Sequence, residues 1–219
     1  MNKIYDIAPP PNCAICPRLK DFRLNNRAIH PTWFNSPVPI FQPINGLENA
    51  KLLIVGLAPG LQGANRTGRP FTGDYAGILL YSSLIKYGFA IGEYKAAIDD
   101  SLSLQDTAIV NAVRCVPPQN KPLGSEINNC RQFLNPILYN LPNLKIILAL
   151  GTIAHNTVLR SFNLPISSYK FRHNSKYEIK ANSKILISSY HCSRYNTNTG
   201  RLTTQMFYDV FDNIIQSLT

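Results

Sequence analysis

Apolar residues along the chain fall into two kinds of pattern. Residues 52–57, LLIVGL, form a short continuous run with a β-branched centre, the pattern of a strand buried on both faces. Residues 107–113, 144–150 and 184–189 read as further strands. Between these runs the apolar positions recur at helical spacing. Leu80, Leu84 and Ile85 mark a helix over 75–87, and Ile127, Cys130, Phe133, Leu134, Ile137 and Leu138 stripe one that begins near Ser125. Gly151 opens a third helix, and Met206, Phe207, Val210, Phe211, Ile214 and Ile215 mark the last. Four strands alternating with helices predict one α/β domain over 1–219, with a central four-stranded parallel sheet flanked by helices.

The remaining stretches carry weaker signals. Pro9-Pro10-Pro11 opens an extended segment, and four prolines between 30 and 43 predict a long ordered loop. Residues 89–105 read as a shorter helix and a loop, 164–182 as a polar hairpin or loop, and 191–201 as a polar loop.

A hydrophobic content of 45% over 219 residues fits a folded core. The formal net charge of +10 favours a polyanionic partner, most simply nucleic acid. No apolar run reaches the ~18 residues of a membrane helix, and the first residues lack the apolar centre of a signal peptide. A cytoplasmic protein without disulfides is therefore expected.

The loop after the first strand holds the chemistry. It breaks at Ala58-Pro59-Gly60 and carries Gly60, Gly63, Gly68 and Gly73. Glycines there let backbone approach a ligand beyond the carboxyl end of a strand. The spacing is neither GxGxxG nor a P-loop. Arg66, Arg69, Phe71 and Asp74 add cations, an aromatic face and a carboxylate, a set suited to a flat polar ligand beside phosphates.

Four of the five cysteines pair as Cys13-x2-Cys16 and Cys115-x14-Cys130, leaving Cys192 over. Such a set suits zinc or an iron–sulfur cluster, while Cys115 and Cys130 read equally as buried core thiols. The uneven spacing disfavours a zinc ribbon, and the close pair beside Pro17 favours a metal.

Three separated segments resemble the uracil-DNA glycosylase superfamily: GLAPG at 56–60 with GRPFTGD at 68–74, NAVRCVPPQN at 111–120, and HCSRYNTNTGRLT at 191–203. The four cysteines resemble its iron–sulfur branch. GLAPG with NRTG and the HxSxxNxNTGRLT loop resembles family 5 (type B). The likeness runs from about Cys13 to the final helix. It implies an enzyme of base excision repair that flips uracil out of DNA and hydrolyses its N-glycosidic bond. It also implies action on other deaminated bases such as hypoxanthine, a monomer, and a 4Fe-4S cluster on Cys13, Cys16, Cys115 and Cys130, with 1–45 as a cluster-binding N-terminal segment and Pro-rich loop packed on the domain.

The same resemblance assigns roles. Gly56, Ala58, Pro59 and Gly60 shape the pocket floor, and Phe71 stacks on the flipped base. Asn111 accepts from uracil N3–H and donates to O4, a demand that cytosine reverses. His191 donates to O2 as negative charge collects there. Ser193 and the loop backbone grip phosphates, and Tyr195 is the wedge in the emptied stack or else packs on the final helix; the excess of positive charge within the motif loops separately points to Arg66, Arg69 and Arg201 as phosphate contacts. Ala58 stands where better-known branches carry an acid or amide that positions water. Asp74 is the nearest carboxylate to take that part, with helix capping as its competing role. Asn65 is the next polar candidate. Two other classes stay open at this stage, a non-catalytic metal-containing nucleic-acid-binding module and an iron–sulfur electron carrier.

Overall fold

The computed structural model describes residues 8–218, so the start of the chain on which the leader reading rests lies outside the described residues. Strand β1 (Leu52–Gly56) is buried at every position and lies second from one edge of the sheet. It pairs in parallel with β4 (Thr107–Asn111) on one side and β5 (Ile146–Leu150) on the other. Strand β5 pairs in parallel with β7 (Lys184–Ser189). Side chains alternate between faces along each strand. Leu52, Ile54, Ile109 and Leu148 therefore face one core with α3 (Tyr75–Lys86) and α7 (Thr204–Leu218). Leu53, Val55, Val110 and Ile147 face the other with α4 (Gly124–Asn140) and α5 (Thr152–Ser161). Each such side chain contributes roughly 1.5–3 kcal/mol on burial, which is what sandwiches the sheet between helices.

The sheet has five strands, not four. Strand β6 (Ser175–Ile179) runs antiparallel to β7 at the edge. Its side chains alternate between partly covered and exposed until Ile179, so the sequence looked polar. An antiparallel edge strand on a mostly parallel sheet needs only one covered face. The segment 89–105 also differs from expectation. It forms a small hairpin, β2 (Ala90–Ile91) with β3 (Ser103–Leu104), and no helix. Gly92 at φ 86 lies against the Ser101 carbonyl, a close approach that a helix does not offer.

Three further helices position the functional segments. Helix α1 (Pro17–Ile29) begins directly after Cys16 with proline in its first turn, and buries Leu19, Arg23 and Asn26. Its mostly polar sequence hid it from the apolar pattern. Helix α2 (Ala64–Thr67) lies inside the glycine loop, and α6 (Arg194–Asn198) inside the 191–201 loop. The proline-rich segment docks along the free edge of β4, where Phe41 and Ile109 exchange backbone bonds of 2.9 and 2.8 Å. That covers an edge which would otherwise offer unpaired backbone groups. No helix among the described residues is long and apolar enough to cross a membrane.

Candidate active site

The carboxyl ends of β1, β4 and β7 open on a cleft of about 460 Å³, within the size range of small-molecule sites. The parallel register sets Gly56 beside Asn111. A Cβ at Gly56 would overlap Asn111 Oδ1 and stand 2.7 Å from the Phe71 ring. Glycine at this position is thus what lets the carboxamide and the aromatic ring share the cleft wall.

Phe71 is buried, at φ 56. Its ring stacks on His191 with centroids 5.8 Å apart and planes 29° apart. Both rings line the cleft. Burial pushes the His191 imidazole down to about 4, so the ring is neutral at pH 7 and holds one N–H to donate. Asn111 ends β4 with its side chain in the cleft wall.

Asp74 occupies the N-cap position of α3, yet its side chain makes no capping hydrogen bond. The carboxylate turns instead toward α2 and accepts from the Ala64 N–H. It fills the space where Cβ atoms of Gly60 and Gly63 would lie, 2.5 Å from the Gly60 position. Burial raises its carboxyl above the usual range, while the Ala64 N–H and Arg66 pull partly back. Ala58 lies on the same wall and also packs toward the cluster of Cys16, Cys115 and Cys130.

Other residues singled out from the sequence fall into different places. Pro59 is buried and Gly60 lines the cleft. Arg69 is no phosphate contact: it is 4% exposed and forms a two-pronged pair with Asp100 at 2.8 and 2.7 Å. Asn65 is buried at 1% exposure and donates to Asn35 Oδ1 at 2.9 Å, outside the cleft lining. Ser193 lines the cleft, and its hydroxyl accepts from the Asn196 N–H at 3.4 Å, holding the start of α6. Tyr195 is 71% exposed, which excludes packing against α7. Arg201 is exposed, with its guanidinium over the Tyr190 ring at 4.7 Å. Arg66 is exposed and donates to the Gln62 carbonyl at 2.8 Å.

Asn120 and Arg194 also line the cleft and were not singled out from sequence. Asn120, at φ 56 beside Gln119 at φ 55, projects from the turn after Pro117. A double left-handed turn after paired prolines, carrying an asparagine that tolerates it, was the available signal. Arg194 lies over Tyr75 at 5.0 Å and closes one flank; no spacing distinguished it from other loop cations.

A second hollow is lined by Cys13, Cys16, Cys115 and Cys130 together, all unpaired thiols. It lies between α1, α4 and the segment after β4. Three donors reach its sulfurs: Arg23 to Cys115 at 3.2 Å, the Arg114 N–H to Cys130 at 3.3 Å and Asn129 to Cys16 at 3.7 Å. Arg23 is 1% exposed and its Nε has no hydrogen-bond partner. A buried guanidinium against thiols fits a negatively charged group in the hollow. Among the described residues no three His, Cys, Asp or Glu side chains converge as ligands of a single ion. Cys192 lies elsewhere, buried in the core beneath α7.

Comparison with known proteins agrees on one family. The family model "Uracil DNA glycosylase superfamily" matches residues 43–218. The chain is 41% identical over 204 residues to a type-5 uracil-DNA glycosylase of Thermus thermophilus, covering 90% of each chain. It is 35% identical over 203 residues to a type-5 uracil-DNA glycosylase of Pyrobaculum aerophilum, covering 91% of this chain and 86% of that one. A type-4 uracil-DNA glycosylase of Archaeoglobus fulgidus is 30% identical over 155 residues, 69% of each.

Proposed function

Because the chain belongs to the uracil-DNA glycosylase superfamily, a family of hydrolases of N-glycosidic bonds, we propose that its cleft takes a uracil flipped out of DNA and removes it by hydrolysis. The observation that carries this reading is the meeting of Phe71, Asn111, His191 and Asp74 around one cleft. Phe71 supplies the face for the flipped ring, and Asn111 the hydrogen-bond pattern that accepts from N3–H and donates to O4. The C1′–N1 bond breaks with its electron pair passing to the base, and charge collects on O2. Neutral His191 donates its N–H there, where a donor is worth more to the departing anion than to the ground state. The sugar cation left behind is taken by water. Asp74, ionised in its glycine seat, orients that water, accepts its proton and stabilises the cation.

Asp74 rather than Ala58 carries the water because a methyl group has nothing to offer it, and because the carboxylate does not cap its own helix α3. The exposed guanidiniums of Arg66, Arg194 and Arg201, with the net charge of +10, suit the phosphates on either side of the flipped nucleotide. Hypoxanthine offers a similar flat face and a carbonyl, and the cleft volume supports its inclusion among the substrates.

We infer that the cysteine hollow holds a 4Fe-4S cluster on Cys13, Cys16, Cys115 and Cys130. Thiolate ligation there would tie the start of α1 to the segment after β4, a structural cross-link behind the cleft wall at Ala58. Arg23 would stand beside it as counter-charge.

Incubation of the purified protein with uracil-containing duplex, followed by alkali, tests the reading. Strand scission at the uracil position is expected, and none with thymine in its place. An intact strand after alkali overturns it. A non-catalytic binding module or an electron carrier requires no carboxylate seated in a glycine cradle at the strand ends, and neither is favoured by the geometry.

A further inference from the structure

The stretch that carries Phe71 and Asp74 makes two left-handed turns, at Phe71 (φ 56) and Gly73 (φ 85). Left-handed backbone disfavours side chains with a Cβ, so something outside the stretch must hold Phe71 there. Its internal backbone bond, from the Thr72 N–H to the Arg69 carbonyl, is a long 3.2 Å. The holding groups come from α3, from the hairpin connection between β2 and β3, and from Thr67 of α2, whose hydroxyl donates to the Thr72 carbonyl at 3.0 Å.

Tyr94 is the central one. Its hydroxyl accepts from the Gly73 N–H at 3.3 Å and donates to the Phe71 carbonyl at 3.1 Å. One oxygen thus joins both left-handed residues. The Tyr94 ring leans on Tyr81 with centroids 4.6 Å apart, and the Tyr81 hydroxyl donates to the Pro70 carbonyl. Gly77 in the first turn of α3 presses so close that a Cβ would overlap the Phe71 carbonyl and the Tyr94 hydroxyl. Asp100, from the same hairpin connection, grips Arg69 and also accepts from the Lys95 and Leu102 N–H groups at 2.9 and 3.2 Å. Burial, foremost, keeps the Tyr94 phenol above its ordinary pKa, so it is protonated and able to donate at neutral pH.

We propose that Tyr94 is a positioning residue of the glycosylase reaction, its hydroxyl clamping the loop that presents the stacking ring of Phe71 and the carboxylate of Asp74. This rests on the assignment of Phe71 and Asp74 given above. Tyr94 touches neither base nor sugar; it acts through the backbone that it pins. Phenylalanine at 94 keeps the ring on Tyr81 and removes both hydrogen bonds. The left-handed Phe71 is then free to relax, which withdraws its ring from His191 and lets Asp74 leave its seat beside Gly60 and Gly63.

The test compares Tyr94→Phe with two variants. Tyr87→Phe removes a hydroxyl that bonds the Tyr208 carbonyl at 3.2 Å and lies off the cleft, so it controls for general loss of stability. Asp74→Asn reports on the site itself. Each is measured for melting temperature, for affinity toward duplex holding a 2′-fluoroarabino uracil nucleotide that resists cleavage, and for single-turnover cleavage of uracil duplex. Tyr94→Phe is expected to lose about tenfold or more in cleavage rate, the scale of a misplaced catalytic group, and to bind the uracil duplex more weakly as the Phe71 face withdraws, with Tyr87→Phe near wild type in both. Cleavage by Tyr94→Phe within about twofold of wild type, beside a slow Asp74→Asn, overturns the clamp alone. A fast Asp74→Asn overturns the site assignment and the clamp with it. Equal rate losses in the two tyrosine variants, tracking their melting temperatures, assign Tyr94 to stability only and also overturn the proposal. Should Tyr94→Phe melt below the assay temperature, amide exchange of Gly73 in the native protein decides: slow exchange supports the clamp, and exchange as fast as an open loop overturns it.

Discussion

The carboxylate of Asp74 occupies the space that a Cβ of Gly63 would fill. The two residues are far enough apart in sequence to belong to different helix starts, α2 and α3, and the contact between them puts a charged group where a cap would be idle. Space alone already forbids a side chain at Gly63, since a Cβ there would overlap the Asp74 carboxyl group.

Gly63→Ala therefore isolates the seat from the chain that forms it. The added methyl displaces the carboxylate while leaving its identity intact. Single-turnover cleavage is expected to fall by about 10²-fold, comparable to loss of a general base. Melting temperature should move little, because the side chain expelled is a flexible one. A variant that cuts at the wild-type rate would show that the seat is unimportant.

Asp74→Asn separates charge from shape. Cleavage should fall by about 10²-fold or more. The stability effect has a definite sign. A carboxyl whose folded pKa is raised favours its protonated form in the fold, so its ionisation costs stability as pH rises through that pKa. Asparagine carries no such cost. The variant should melt above wild type at pH 7, and the gap should close toward pH 4 as Asp74 takes up its proton. The acid limb of the wild-type rate should follow the same raised pKa.

Asn111→Ala and His191→Ala should each slow cleavage, with loss of the His191 donor costing on the order of 10²–10³. His191 is neutral above about 4, so no step in rate is expected near the ordinary histidine value. Its burial carries a stability signature. Between pH 6.5 and about 4 the unfolded chain holds the extra proton, so stability rises with pH across that window. His191→Ala should flatten that slope, and chemical denaturation at several pH values measures it.

Protein purified without oxygen should be brown with about four irons per chain. Serine at Cys13, Cys16, Cys115 or Cys130 should lower iron and melting temperature together. Cys192→Ser should leave iron unchanged, since that thiol is buried beneath α7 away from the hollow. Colourless protein carrying one zinc would overturn the cluster.

Duplex affinity should fall steeply with salt, as expected where guanidiniums displace counterions from phosphate. Arg66→Ala and Arg201→Ala should each shallow the slope. Arg69→Ala should instead lower the melting temperature, because it leaves Asp100 buried without its partner. A salt response that is flat would remove phosphate contact as the driving term.

The four parallel strands were legible because each is built on a continuous apolar run, and so were the helices at 75–86 and 124–140, whose stripes repeat at helical spacing. Strand β6 was not, because an edge strand covered on one face keeps Lys176 and Glu178 in solvent. Helix α1 was missed for a related reason: it buries Arg23 and Asn26 where a stripe of leucines would have announced it. Among the cleft residues, Phe71, Asn111, His191 and Asp74 were nameable from their motifs. Asn120 closes the 111–120 motif, and it is the pair of left-handed residues in the turn that brings it to the cleft.

What the sequence by itself determined is the list of parts: buried runs that must become a sheet, loops that must follow them, and four cysteines in two pairs. These follow from local pattern, since a residue's period and neighbours decide which face it hides. Only the tertiary structure decided what each polar group meets. Arg66 and Arg69 are near neighbours in one loop of like chemistry, yet Arg66 is exposed and Arg69 is sealed against Asp100, a partner from a distant hairpin connection. Asp74 reads as a helix cap from its position, and it is the glycines at 60 and 63, folding back across it, that free the carboxylate for the cleft. Charge on a side chain is a local fact, but its partner and its access to water are set by segments far away along the chain.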